Sequence, residues 1–224
     1  MSLDLITRKL RDHEEAKHVV IWLHGLGADN TDFLPIIPNI RIQENIKFIF
    51  PNAPIRKVTI AGGYSIRAWY DIYSLTDKDA PIDYVGIAES VQQIQAIIDD
   101  QIKNGIACEN IYVCGFSQGA ATSYATLLQF KHKIGGVIAL SGYLPFKDEQ
   151  VKQAPKVSLE VPVLACHGKF DMVVSHQFGH DGYLRLTNHG YKTSWLEYPI
   201  EHNVSNQEIN DISTWLQNQI NLNH

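Results

Sequence analysis

Cysteine is scarce in this chain of 224 residues: there are 3, Cys108, Cys114 and Cys166, and no two have C-x-x-C spacing. An odd number without that spacing argues against a disulfide framework and against a zinc knuckle, and leaves buried free thiols. Long apolar runs are missing as well. The longest are short stretches such as VVIWL, far below the roughly 18 residues of a spanning helix, so any membrane contact is expected to be peripheral. The 19 Lys and Arg residues are scattered among 24 Asp and Glu, for a net charge of -5. Without a basic stripe, nucleic acid is excluded as an expected partner. No repeat, low-complexity tract or linker interrupts the sequence, and 45% apolar content at this length can fill one core. Residues 1–224 are therefore expected to form one domain. The opening MSLDLITRKLRDHEEAKH is charged throughout and has no apolar secretory segment, which predicts a cytoplasmic protein.

What is present is a series of short runs rich in Val and Ile: HVVIWLHG, KFIFPNAP, NIYVCGFS, GGVIALSG, VPVLACHG and KTSWLEYP. Most read as strands buried on both faces. Helical patterns lie between them. The clearest spans 83–104, where Ile87, Val91, Ile94, Ile98 and Ile102 mark one stripe and Gly105 stops it. The last helix opens at SNQE, where Ser205 and Glu208 have capping-box spacing, and Ile209, Ile212, Leu216 and Ile220 form its buried face. Strands alternating with helices predict an α/β fold, a mostly parallel central sheet with helices on both faces. Nothing between the strands resembles a large lid domain.

In VCGFSQGAA, residues 113–121, Ser117 stands between Gly115 and Gly119, where an apolar run gives way to the helical pattern AATSYATLLQF. Folds of this kind gather their sites at the carboxyl ends of the strands, and this serine falls at one. A nucleophilic serine must protrude from the sheet on a sharp, strained strand-to-helix turn, and the two glycines remove side chains that would collide there. The turn also sets the hydroxyl at a helix amino terminus, where free N–H groups favour the negative charge of acyl transfer. The plainer alternative is an ordinary glycine-bounded turn, so partners are required. A serine is a poor nucleophile until an oriented imidazole takes its proton, and hydrolases with this elbow carry an acid and then a histidine later in the chain. Asp171 follows VPVLACHG and His202 follows KTSWLEYP, in that order and both at strand ends.

Rivals exist among the 10 histidines. His167 is too near Asp171 to reach over it and reads as a loop brace, while His24, in WLHGLGAD, comes too early for the base and reads as holding its loop. His176 and His180 have the i, i+4 spacing that can clasp zinc but lack a third ligand, so no metal is assigned. Asp181 falls inside a helix beginning near Ser175, which favours Asp171 as the acid. The acidic run TDKDAPID lacks the glycine and distal glutamate of a calcium loop and reads as helix capping by Asp83. One oxyanion donor is expected at the N–H of Gln118. The other belongs to the loop after the first buried strand, where Gly25 and Gly27 would let an N–H bend towards a substrate carbonyl.

LHGLGAD, FPNAP, RAWYD, GFSQGA, LSGYLP and CHGKFDMVV follow one another as they do in acyl-protein thioesterases and their bacterial carboxylesterase relatives, and the chain resembles that family from about residue 17 to its end. The resemblance implies an α/β-hydrolase fold, no cofactor, and hydrolysis of carboxylic esters or thioesters through an acyl-enzyme. It implies Ser117 as nucleophile, His202 as base and Asp171 as acid, and it places the second oxyanion donor at Leu26. Around the serine it supplies Ile60, Tyr64, Trp69, Tyr143, Leu144 and Met172 as acyl contacts, with ordinary core packing the competing account of each. Small-molecule or lipid acyl esters and thioesters are the implied substrates, lysophospholipids and acylated proteins among them. Pairing among relatives implies a homodimer.

Two departures from that family qualify the expectation. Its members that act on lipidated proteins carry more apolar, methionine-rich residues where this chain has AGGY. A groove shortened by Tyr64, or opened to water by Gly62 and Gly63, favours acyl chains of about four to eight carbons, since each methylene contributes about 0.8 kcal/mol only while it is buried; the rival reading turns Tyr64 outward as part of a membrane-facing rim. Relatives also tend to place Gly and Met before the base and Ser after it, where this chain has PIEHNV, so the base loop is expected to be set differently. The alternative of another class is a hydrolase-fold binding or interaction module without turnover. An intact Ser, Asp and His set weighs against it, because a pure binding protein has no use for a strained elbow.

Overall fold

The computed structural model describes residues 3–75 and 80–222. Among the described residues nine strands form: β1 (Leu5–Lys9), β2 (His18–Leu23), β3 (Ile46–Pro51), β4 (Ile55–Lys57), β5 (Ser65–Arg67), β6 (Ile111–Phe116), β7 (Gly136–Leu140), β8 (Val163–Gly168) and β9 (Thr193–Tyr198). Five α-helices accompany them: α1 (Tyr84–Lys103), α2 (Gln118–Gln129), α3 (Asp148–Gln153), α4 (His176–Asn188) and α5 (Asn206–Leu222). Seven strands make one sheet in the order β1-β3-β2-β6-β7-β8-β9, parallel except where β1 runs antiparallel to β3. β4 and β5 form a separate antiparallel pair, Ile55 opposite Arg67. Neither β1 nor this hairpin is signalled by an apolar run. β1 is an edge strand whose LITRK is mostly exposed, and the hairpin strands are three residues each.

Period-2 alternation divides the central strands between two cores. Val19, Ile21 and Leu23 of β2 face one side, where they meet Ile87, Val91, Ile94 and Ile98 of α1 and the alanines of α2. Val20 and Trp22 face the other, against Ile209, Ile212, Leu216 and Ile220 of α5. Helices therefore cover both faces, as the continuous apolar runs predict for a parallel sheet. β9 differs from the other runs. It closes the sheet at its far edge and is only half-buried. Ile102 is also outside the expected stripe, 38% exposed, because Ile97 and Gln101 are buried and the centre of the buried face lies further round the helix. All three cysteines are free thiols; Cys114 and Cys166 are buried and Cys108 is half-buried.

Two caps set where helices begin beside the site. Asp83 accepts the Gly86 N–H at 2.9 Å and the Asp71 N–H at 2.8 Å, which explains the end of the acidic run; residues 76–79 of that run lie outside the described residues. At α5, Ser205 Oγ accepts the Glu208 N–H at 3.1 Å and Glu208 Oε2 accepts the Ser205 N–H at 3.4 Å, the reciprocal box that SNQE predicts. Among the described residues, no helix is long and apolar enough to cross a membrane.

Glu208 is 1% exposed, and burial, opposed by the Ser205 N–H and reinforced by Asp211, pushes its carboxyl up to about 8. The folded state then holds a proton that the unfolded chain releases near the ordinary carboxylate range. Stability therefore falls as pH rises from about 4.5 to about 8 and is flat above. Glu208→Gln cannot ionise. Thermal melts across pH should show it near wild type at about pH 4.5 and a few degrees more stable above about pH 8.

Candidate active site

β6 ends and α2 begins within three residues, and the chain can turn that sharply only because it is bare on both sides of Ser117. A Cβ on Gly115 would stand 2.2 Å from the Gly119 carbonyl oxygen, and one on Gly119 would stand 2.3 Å from that of Leu23. Ser117 itself sits at φ 56° and ψ −116°, a conformation that costs an L-residue of order 1–3 kcal/mol. Its N–H donates to Leu140 of β7 at 2.8 Å, and its carbonyl accepts from Ala120 and Ala121. Its side chain makes no capping bond to α2, so the hydroxyl is available above the sheet.

Two further strand ends deliver its neighbours. His202 Nδ1 lies 2.6 Å from Asp171 Oδ2, and His202 Nε2 lies 3.0 Å from Ser117 Oγ. A carboxylate only accepts, so Nδ1 carries the ring proton and Nε2 is left to accept from the serine hydroxyl. The Asp171 side chain has no exposed surface. Its Oδ1 accepts the N–H groups of Val173 and Val174, each at 2.9 Å. Burial opposes its ionisation, but the neighbouring His167 N–H and the hydrogen bonds from His202 and Val173 outweigh burial and hold the carboxyl well below its ordinary range. Phe116 packs on the His202 ring, centroids 4.7 Å apart. The loop carrying His202 is tied to the loop carrying Asp171 by the Phe170 N–H on the Ile200 carbonyl at 3.0 Å. A side chain at Gly168 would block that closure, at 2.4 Å from the Glu201 carbonyl.

His24 orders the opposite wall. The Ala53 N–H donates to its Nε2 at 3.0 Å, so the proton of the neutral ring is on Nδ1 and donates to the Gly25 carbonyl at 2.7 Å. Burial lowers the pKa of this imidazole and keeps it neutral. The peptide between Gly25 and Leu26 is trans, so the Leu26 N–H points away from the carbonyl that His24 holds. Leu26, Ser117, Gln118 and His202 line one cleft of about 270 Å³. The Gln118 side chain, which the sequence does not single out, fastens the far wall: Oε1 accepts the Trp69 N–H at 2.9 Å and Nε2 donates to the Tyr70 carbonyl at 2.7 Å.

Of the six residues expected around an acyl group, Tyr143 lines this cleft. Leu144 borders a neighbouring cavity of about 120 Å³. Trp69 is fully buried behind the wall, its indole N–H donating to the His24 carbonyl at 2.9 Å. Ile60, Tyr64 and Met172 are 41%, 76% and 92% exposed and stand outside the cleft lining. Their place is taken by Ile72, Leu75, Phe116 and Val173; Phe116 and Val173 lie inside GFSQGA and CHGKFDMVV and Ile72 directly follows RAWYD, but none carries a signal of its own. His176 is hydrogen-bonded to Glu197 at 2.9 Å and stacks on His180, and Asp181 accepts from Gln177 within α4. Among the described residues no group of three His, Cys, Asp or Glu side chains is arranged to hold a metal.

A family model described as phospholipase/carboxylesterase matches residues 10–220. The chain belongs to that family. The carboxylesterase SOBER1 of Arabidopsis thaliana is 34% identical over 209 residues, 92% of each chain. An acyl-protein thioesterase 1 of Debaryomyces hansenii is 34% identical over 211 residues, 90% of each. The crystal structure of SOBER1 superposes with a TM-score of 0.86 at 32% identity, over 91% of this chain and 99% of that one. Zea mays acyl-protein thioesterase 2 does so with a TM-score of 0.83 at 27% identity, over 96% and 99%. The protein is a hydrolase of esters or thioesters, built on the α/β-hydrolase fold.

The geometry separates the two aspartates by experiment. Asp171→Asn would present an amide to His202 and reverse its ring tautomer, so kcat should fall by about 10⁴, as in a well-studied triad, with folding intact. Asp181→Asn should stay within about twofold of wild type. Steady-state kinetics on one ester substrate, with circular dichroism on both variants, reads the difference.

Proposed function

We propose that the protein is a serine esterase and thioesterase that cleaves short to medium acyl esters through an acyl-enzyme on Ser117. The observation carrying this reading is the unbroken line from Ser117 Oγ through His202 to Asp171, at 3.0 and 2.6 Å. Ser117 Oγ attacks the carbonyl carbon as its proton passes to His202 Nε2, and Asp171 stabilises the imidazolium. The oxyanion is held by the N–H groups of Leu26 and Gln118. Collapse expels the alcohol or thiol, which takes the proton from His202. Water then attacks the acyl-enzyme, His202 removes its proton, and the acid leaves as Ser117 regains its hydrogen. No step calls for a metal or cofactor.

Chain length is limited by a different wall from the one the AGGY stretch suggests. Tyr64 is exposed and Gly62 and Gly63 are beside it, so neither shortens nor opens the cleft. Ile72 and Tyr143 instead stand between the cleft and the smaller cavity, since both residues border both spaces. The Tyr143 hydroxyl is paired with that of Tyr70 at 2.6 Å, both rings buried. Moving Tyr143 aside would strand two hydroxyls out of water, a cost comparable to several buried methylenes. Small-molecule acyl esters, lysophospholipids with short chains and acylated proteins fit this reading as substrates. A cytoplasmic location, peripheral membrane contact and a homodimer are carried forward with it; free cysteines and the absence of a spanning helix among the described residues are compatible with the first two.

Nitrophenyl esters and matched thioesters of increasing length test the proposal. Wild-type kcat/KM should peak at about four to eight carbons and then fall, and Ser117→Ala should abolish turnover at every length. Tyr143→Ala should join the two cavities and move the optimum to longer chains. A wild-type efficiency still climbing at sixteen carbons, measured below micelle-forming concentrations, would overturn the short cleft; turnover by Ser117→Ala would overturn the nucleophile.

A further inference from the structure

His167, next to the last residue of β8, is a buried imidazole, 1% exposed, and its surroundings are more specific than loop bracing requires. Its Nε2 is 2.9 Å from the Val174 carbonyl oxygen, which can only accept, so Nε2 carries the ring proton. The same nitrogen lies 3.4 Å from Asp171 Oδ2, the oxygen that receives His202. Val174 in turn gives its own N–H to Asp171 Oδ1 at 2.9 Å. One imidazole thus holds the turn at its carbonyl while that turn holds the carboxylate at its amide.

The ring is held in that pose from three directions. Trp195 of β9 stacks on it with centroids 5.9 Å apart and planes 21° apart, and His176 of α4 meets it edge-on at 5.9 Å. His176 is itself bonded to Glu197, which pairs with Lys169 at 2.6 Å. The third constraint is a glycine in mid-helix: a Cβ on Gly179 of α4 would stand 2.3 Å from His167 Nδ1. Glycine inside a helix costs roughly 0.5–1 kcal/mol relative to alanine, and here it leaves room for the imidazole beside the acid.

We infer that His167 is a positioning residue for the acid, its Nε2–H fixing the 171–174 turn and facing the carboxylate oxygen that orients His202. This rests on the Asp171–His202 reading proposed above. With the N–H gone, the turn loosens and Oδ2 loses a neighbouring donor, so the carboxylate aims less well and its charge acts more fully on the His202 imidazolium. The first effect lowers kcat, and the second moves the acidic limb of the kcat/KM profile to higher pH.

His167→Phe keeps a ring for Trp195 without the N–H, while His167→Gln returns an N–H near the Nε2 position. His167→Phe should lose kcat by up to about a hundredfold with KM within about twofold, and its acidic limb should rise by about half a pH unit. His167→Gln should recover most of kcat and the wild-type profile. Equal losses in both variants with unmoved profiles, or a fully active His167→Phe, would overturn the inference. Nitrogen-15 shifts of the histidines in wild-type protein test the same arrangement without any substitution: the Nε2–H tautomer of His167 is expected, and the Nδ1–H tautomer would contradict it. Asp171→Asn measured alongside separates the two proposals, because its retained activity would remove the acid itself, whereas its inactivity beside an unaffected His167→Phe would remove only the role of His167.

Discussion

The whole site depends on one close approach of backbone to backbone, where α2 presses onto the ends of β2 and β6. Gly115 and Gly119 allow it, since any side chain at either position would lie under 2.5 Å from a carbonyl oxygen. From that contact follow the strained Ser117, the hydroxyl standing clear of the sheet and the Gln118 N–H at the start of the helix. Strain of this kind persists only where the surroundings over-determine it. Here they do so through the Leu140 carbonyl on one side and the Ala120 and Ala121 amides on the other.

Around that fixed point, polar groups are arranged in pairs of holder and held. His24 holds the peptide whose N–H belongs to Leu26, the Gln118 side chain holds the segment of Trp69 and Tyr70, and the 171–174 turn holds the Asp171 carboxylate. His24, Gln118 and Asp171 are buried, so these hydrogen bonds are strong and each loss would leave an unpaired group out of water. Burial at one wall and hydrogen bonding at the other keep the protonation states apart. His24 is pressed towards its neutral form while the hydrogen-bonded Asp171 is kept ionised, and the two walls of the cleft thereby carry different charge.

Much of the fold could be read from the sequence, because a parallel sheet covered on both faces writes itself as short, continuously apolar runs. Ser117, Asp171 and His202 could be located for the same reason: each follows directly after such a run, and strand ends converge. Elements whose existence depends on tertiary context were not legible. β1 is too exposed to look like a strand, and the β4–β5 hairpin is too short. The cleft wall failed for a related reason. Tyr64 and Met172 are attractive as apolar residues near the motifs, yet the hairpin and the loop after β8 turn them outwards, while Ile72 and Leu75 are brought in by a segment without periodicity. Nor does any pattern announce that Gln118 would use its side chain as a tie, or that Gly179 would make room for His167.

Intact-mass analysis of the folded protein with a fluorophosphonate probe tests the central claim, an activated hydroxyl at Ser117, without any assumption about the natural substrate. The account predicts a single adduct that maps to Ser117 and fails to form when the probe is added to unfolded chain. No adduct on the folded protein, or one that maps to another residue, would contradict it.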